Sequence, residues 1–227
     1  PVSALRVAMR KHPVHRCPHR EEHARAGAQW ARLAREIDRL RSSINSQTGS
    51  VAAQFDRVCA VLERLGFLAG DEVTDSGQRL RRLFGERDLV VAMSMNEGTW
   101  NELDEAELAS MVSALVYDSR SDDDAQQLAP AGVGMRVQEA WHESLATLER
   151  VHRVEKACGC DLTPSLDAGL MAATLAWAHG STLATAIDAT PIQAGDFVRW
   201  MRQVMDCLGQ IASAATSSEL KRKAEAA

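Results

Sequence analysis

Leu89-Val-Val-Ala-Met-Ser-Met-Asn-Glu-Gly-Thr-Trp-Asn-Glu-Leu-Asp-Glu-Ala-Glu-Leu-Ala-Ser-Met-Val-Ser-Ala-Leu-Val-Tyr117 decides how this chain folds. Asp104 at an N-cap position, with Glu107 three residues later, is the pattern of a capping box, in which each side chain satisfies the other residue's free backbone N–H. Acids in the first turn also suit the positive end of the helix dipole. Behind the cap, Leu108, Met111, Val112 and Leu115 recur at helical spacing and define a face to be buried.

On either side of this segment the same period returns. Upstream, Ala26, Trp30, Leu33, Ile37, Leu40 and Ile44 alternate in steps of four and three, a heptad seam. Arg25, Arg32, Arg35, Arg39 and Arg41 fill the other faces. So narrow a seam suits a stalk laid against one partner helix rather than burial in a core. His12-Pro13 ends a short basic helix over 2–11, and Ser46-Gln-Thr-Gly-Ser50 reads as a break. Beyond it, Val51, Phe55, Val58, Leu62 and Leu65 form a broader apolar face that Gly66 closes. Phe67-Leu68 and Glu72-Val73-Thr74 flank Gly70-Asp71 as a small hairpin, followed by a helix holding Leu80, Leu83 and Phe84. Downstream, helices are predicted at about 135–157, with Trp141, Leu145 and Leu148 on one side, and at Leu166 to His179. A short one is capped by Ser181, and the last spans Ala194 to Ala215.

The fold class that follows is all-α: a helical bundle of about six or seven helices with a small winged-helix-like hairpin corner, preceded by a long basic stalk helix. The predicted organisation is 1–50 stalk and connector, 51–216 bundle, and 217–227 a flexible, charged tail.

Composition narrows the function classes. The 227 residues are 45% hydrophobic and 25% charged, which excludes disorder. No apolar run reaches the roughly 18–20 residues of a membrane span, so no membrane partner is expected. Five cysteines, Cys17, Cys59, Cys158, Cys160 and Cys207, do not make a disulfide framework in a chain this long. Free thiols, those of Cys59 and Cys207 on apolar helix faces, point to a reducing, cytoplasmic setting. The net charge of −5 is uneven: residues 1–47 hold ten Arg and Lys against four acids, and residues 96–124 hold nine acids against Arg120 alone. That acidic surface repels a phosphate backbone, so any nucleic-acid contact belongs elsewhere. The chain begins at Pro1, which fits a piece of a longer protein.

Most apparent motifs have structural explanations. Asp104-Glu105-Ala106 imitates the acidic box of a nucleotide-hydrolysing motor, but such a box must follow a buried strand to reach magnesium, whereas this one opens a helix. The chain contains no Gly-Lys pair from which a phosphate-binding loop could be built. No nucleophile stands beside a base on a recognisable turn, and no catalytic residue is assigned. His12, His15, Cys17, His19 and His23 invite a zinc reading, yet a single cysteine without Cys-x-x-Cys spacing favours a structural turn. Cys158-Gly-Cys160 reads as a helix-ending turn, and Trp100, Trp141 and Trp177 as core.

On the last helix, Met201, Val204, Leu208 and Ile211 fall within about 40° of Phe197 at 100° per residue. Arg199, Arg202, Gln203, Asp206 and Gln210 occupy the opposite side. The residues alone favour a solvated ridge there, with an Arg202–Asp206 pair contributing a few tenths of a kcal/mol.

Several ordered blocks resemble one family. Leu89 to Tyr117, Phe55 to Phe67 continuing through Val73 to Gly77, Met171 to Gly180, and Gly195 to Leu208 are similar to the helical C-terminal domain, DSHCT, of superkiller-type DExH-box RNA helicases, most of all the bacterial HelY-type members. His12-Pro13-Val14-His15 resembles the family's turn at the base of its stalk. The resemblance implies an accessory domain that packs on two RecA-like motor domains and completes the channel around a threaded RNA. ATP and magnesium are then expected in motor domains outside this chain. It also implies that the closing helix faces the channel, with Arg199, Arg202, Gln203 and Asp206 as the nucleic-acid-binding residues. Family members commonly carry Arg at the position of Gln203 and Glu at that of Asp206. An amide at 203 can still bond a base edge but releases no counterion. The alternative is a non-enzymatic adaptor whose stalk, Arg25 to Arg41, seats a protein partner.

Overall fold

The computed structural model describes residues 6, 7, 9, 12, 17–119, 130–188 and 190–227, with the backbone alone of 41–50. Two compact units divide the chain, residues 1–55 and 56–227. Most of the expected helix at 2–11, and His15, lie outside the described residues.

Helix α1 runs without interruption from Arg20 to Arg64. The expected break at Ser46–Ser50 is therefore absent. No proline interrupts the segment, and one glycine inside a helix costs only about 1 kcal/mol. Glu21 and Glu22 occupy its first turn, where acids favour the dipole. In the first unit its seam is open to solvent: Trp30 is 73% exposed, and Leu33, Ile37 and Leu40 are exposed with it. The second apolar face is also only partly used. Val51, Phe55 and Val58 are exposed, while Val61 is buried and Leu62 and Leu65 pack on the core.

Within the second unit Gly66 ends α1 at φ 80°, a left-handed conformation that glycine adopts without steric cost. Strands β1 (Leu68–Ala69) and β2 (Glu72–Val73) pair antiparallel around Gly70-Asp71, with Leu68 opposite Val73. Thr74 caps α2 (Asp75–Leu80), its hydroxyl oxygen accepting from the Gly77 N–H. This helix is shorter than expected. Leu83 turns into the core beyond its end, whereas Phe84 stands 77% exposed in the following loop.

α3 (Asp88–Glu97) and α4 (Glu105–Val116) come from the decisive segment. The capping box is present: Glu107 N donates to Asp104 Oδ1 and Asp104 N to Glu107 Oε2, both at 2.9 Å. α4 is more deeply placed than its pattern required, since every residue from Glu107 to Leu115 is buried. It is the axle of the bundle. α5 (Met135–Cys158), α6 (Met171–Ala178), α8 (Ala194–Ala214) and α9 (Ser218–Ala226) all pack on it.

α5 ends at Gly159, φ 70°, as expected for Cys158-Gly-Cys160. The helix expected from Leu166 starts later: Asp167 accepts from the Gly169 N–H, a 3₁₀ turn covers Ala168–Leu170, and α6 follows. Thr182, not Ser181, caps α7 (Leu183–Ile187). Residues 217–227, expected as a loose tail, form α9 instead. Ser217 caps it, Leu220 and Ala224 bury themselves four residues apart, and Lys223 Nζ donates to the Asn101 carbonyl at 2.6 Å. Trp100 and Trp141 are core, Trp100 donating Nε1–H to Ser144 Oγ at 3.2 Å. Trp177 is not: it lies 41% exposed, edge-on to Phe197. Among the described residues no helix is long and apolar enough to cross a membrane.

Candidate nucleic-acid interface

α8 is positioned by its apolar stripe. Phe197, Met201, Val204, Leu208 and Ile211 are all buried, so the opposite face must turn outward. Arg199, Arg202, Gln203 and Asp206 are exposed there, as the wheel required. Their surroundings differ. The Arg199 guanidinium lies 3.5 Å from Asp196 and 5.1 Å from the centre of the Trp200 ring. Among the described residues Arg202 and Asp206 form no ion pair, so the pair expected between them is not made.

A cleft of about 430 Å³ opens along one flank of the ridge. Gln203 and Asp206 belong to its wall with Trp200 and Gln210, and the loop Leu83–Asp88 forms the facing side. Gln210 ties the two together, its Oε1 accepting from Phe84 N at 2.7 Å. Arg82 adds a second tie, donating Nη1–H to the Ser213 carbonyl at 2.6 Å. Trp200 is held edge-on by Tyr117, centroids 5.2 Å apart.

Arg87 stands at the base of this cleft and is buried. Its Nε and Nη2 donate to the Ser165 carbonyl at 2.9 and 2.6 Å, and its Nη1 to the Leu115 carbonyl at 3.1 Å. Burial lowers its pKa, an effect opposed by Asp118, Glu86 and Asp167. Burial likewise raises the Asp88 carboxyl, which its bond to the Leu89 backbone counteracts. Glu86, Asp88, Asp118 and Asp206 give the cleft four carboxylates against one committed arginine.

Sequence periodicity located the ridge but not the cleft. Phe84, Arg87 and Asp118 meet α8 only through tertiary packing, 126 residues separating Phe84 from its partner Gln210. Of the histidine cluster, Cys17 Sγ lies 3.5 Å from His23 Nδ1, and His19 Nδ1 lies 3.6 Å from Glu22. Among the described residues no group of three or more His, Cys, Asp or Glu side chains could share a metal.

A helical bundle closed by a long amphipathic helix, with a hairpin corner ahead of it, is the class that fold and ridge define. Residues 70–227 match the DSHCT (NUC185) domain model, and the chain belongs to that family. It is 35% identical to a probable helicase HelY of Mycobacterium tuberculosis over 248 residues, covering 100% of this chain and 26% of that protein. It is 31% identical to the probable helicase HelY of Mycobacterium leprae, again over 26% of it. Similarity extends to the exosome RNA helicase MTR4 of Mus musculus, 24% identical over 98% of this chain and 22% of that protein. The chain thus spans about a quarter of the length of these relatives.

Proposed function

We propose that this chain is the accessory C-terminal domain of an ATP-dependent RNA helicase, acting in the cytoplasm. It would dock on RecA-like motor domains outside the chain, which handle ATP and magnesium, and complete the passage for the strand. The family match over residues 70–227 carries this reading. The exposed ridge of α8 supports it: a rigid helix, seated by five buried apolar residues, presents four hydrogen-bonding side chains in a row. Arg199 and Arg202 supply cations for phosphates, while the Gln203 amide and the Asp206 carboxylate suit base edges.

The test replaces Arg199 and Arg202 together by Ala in the full-length protein. RNA stimulation of ATP hydrolysis should fall. The slope of log affinity against log salt should become shallower by about 1.4, two single-strand phosphate contacts being lost. Unchanged stimulation and an unchanged slope would remove the strand-contact role.

The open seam of α1 favours a second reading, a stalk that seats a protein partner. Deleting the stalk would then abolish partner capture while leaving the salt dependence of RNA binding as it was.

A further inference from the structure

We propose that the cleft beside α8 is a pocket for one nucleobase of the bound strand, selective for guanine. The proposal rests on the strand-contact reading of α8 and adds to it a place and a preference. The cleft has the size of a small-molecule site. Its lining offers acceptors and ring faces but few donors. Gln203 and Asp206 stand on the α8 wall, and Glu86, Asp88 and Asp118 add carboxylates. The one guanidinium, that of Arg87, has all three nitrogens engaged with the Ser165 and Leu115 carbonyls. Four carboxylates keep a phosphate out of the interior. A base edge rich in donors is what they admit.

Among the four RNA bases only guanine presents two adjacent donors, N1–H and the 2-amino group, on its pairing edge. A carboxylate accepts both at once through its two oxygens. Adenine, cytosine and uracil each set acceptors beside a single donor group, which a carboxylate lining repels. Asp206 is free for this role, since no ion pair or side-chain hydrogen bond engages it among the described residues. Phe84, a large exposed aromatic ring whose backbone N–H is held by Gln210, provides a face on which a base can stack, and Trp200 lines the same cleft. Arg199, over the Trp200 ring, puts a cation at the rim, where the phosphate of an inserted nucleotide would remain.

The test compares the full-length protein without nucleotide on labelled oligoadenosine and on the same oligomer with alternate residues replaced by guanosine, inosine or cytidine. The guanosine oligomer should bind at least about fivefold more tightly than oligoadenosine, with inosine, which lacks the 2-amino group, between them. Asp206→Asn should erase the preference, bringing the guanosine oligomer to the affinity that the same variant shows for oligoadenosine. Phe84→Ala should weaken the guanosine oligomer most. Equal binding of all four oligomers by the wild type, while Arg199→Ala/Arg202→Ala weakens each of them, overturns the pocket and leaves the strand contact standing. A guanosine preference that survives Asp206→Asn, or an Asp206→Asn effect confined to binding an arginine-rich peptide, also overturns it. Binding of every oligomer that ignores all these substitutions overturns both readings.

Discussion

The guanidinium of Arg87 grips the carbonyl of Ser165 with two of its N–H groups, at 2.9 and 2.6 Å, across 78 residues of sequence. A third N–H reaches the Leu115 carbonyl at the end of α4. One buried cation therefore joins the start of α3, the end of α4 and the turn before α6, supplying partners to two backbone carbonyls. It also forms the base of the cleft against which α8 stands.

Replacing Arg87 by Met keeps much of the stem's packing and removes the donors. One buried and one part-buried carbonyl then lose partners, each charge-assisted bond contributing about 1.5–3 kcal/mol. Urea unfolding should show a loss of about 3 kcal/mol, with Lys at this position recovering only part, because an ammonium cannot reproduce the planar fork. A loss under about 1 kcal/mol would mean that the three bonds are dispensable.

Asp104→Ala removes one half of the capping box and one carboxylate facing Arg136, whose Nη2 lies 3.6 Å from it and 3.0 Å from Glu107. The expected cost is about 1–2 kcal/mol, read as a lower thermal midpoint. Asp104→Asn or Asp104→Ser should restore most of it, since both can accept from the Glu107 N–H. Restoration by neither would show that the effect is not capping.

Burial pushes the Cys207 thiol up to about 12. The thiolate is the reactive form, so at pH 8 the folded chain should alkylate Cys207 about a thousandfold more slowly than the urea-unfolded chain. Above the folded value the contrast should close. Cys207 modified as fast as an unfolded thiol at pH 8 would contradict the buried environment.

How much could be read in advance differs between elements for definite reasons. α4 and α8 were legible because a capping box and a 3.6-residue stripe are local signals, and burial of Phe197 to Ile211 fixes which side faces out. The turn at Gly66 and the hairpin after it were legible because their backbone needs particular residues. The continuity of α1 was not, since polar and glycine residues weaken a helix without forbidding it. α9 was missed because Leu220 and Ala224 are too few to outweigh its charges until α4 and α8 offer them a surface. An indole's apolar nature favours the core, yet Trp177, near the end of α6, is only partly covered.

The order of residues alone specified the all-α class, the sites of most helix ends and the polar ridge of α8, because propensity, capping and periodicity act over one or two turns. Packing of distant segments decided that α4 is the buried axle, that Arg87 is enclosed among carbonyls, and that Phe84 and Asp206 face a common cleft. Such relations depend on which apolar faces meet, and that free energy belongs to the assembled core rather than to any short stretch of chain.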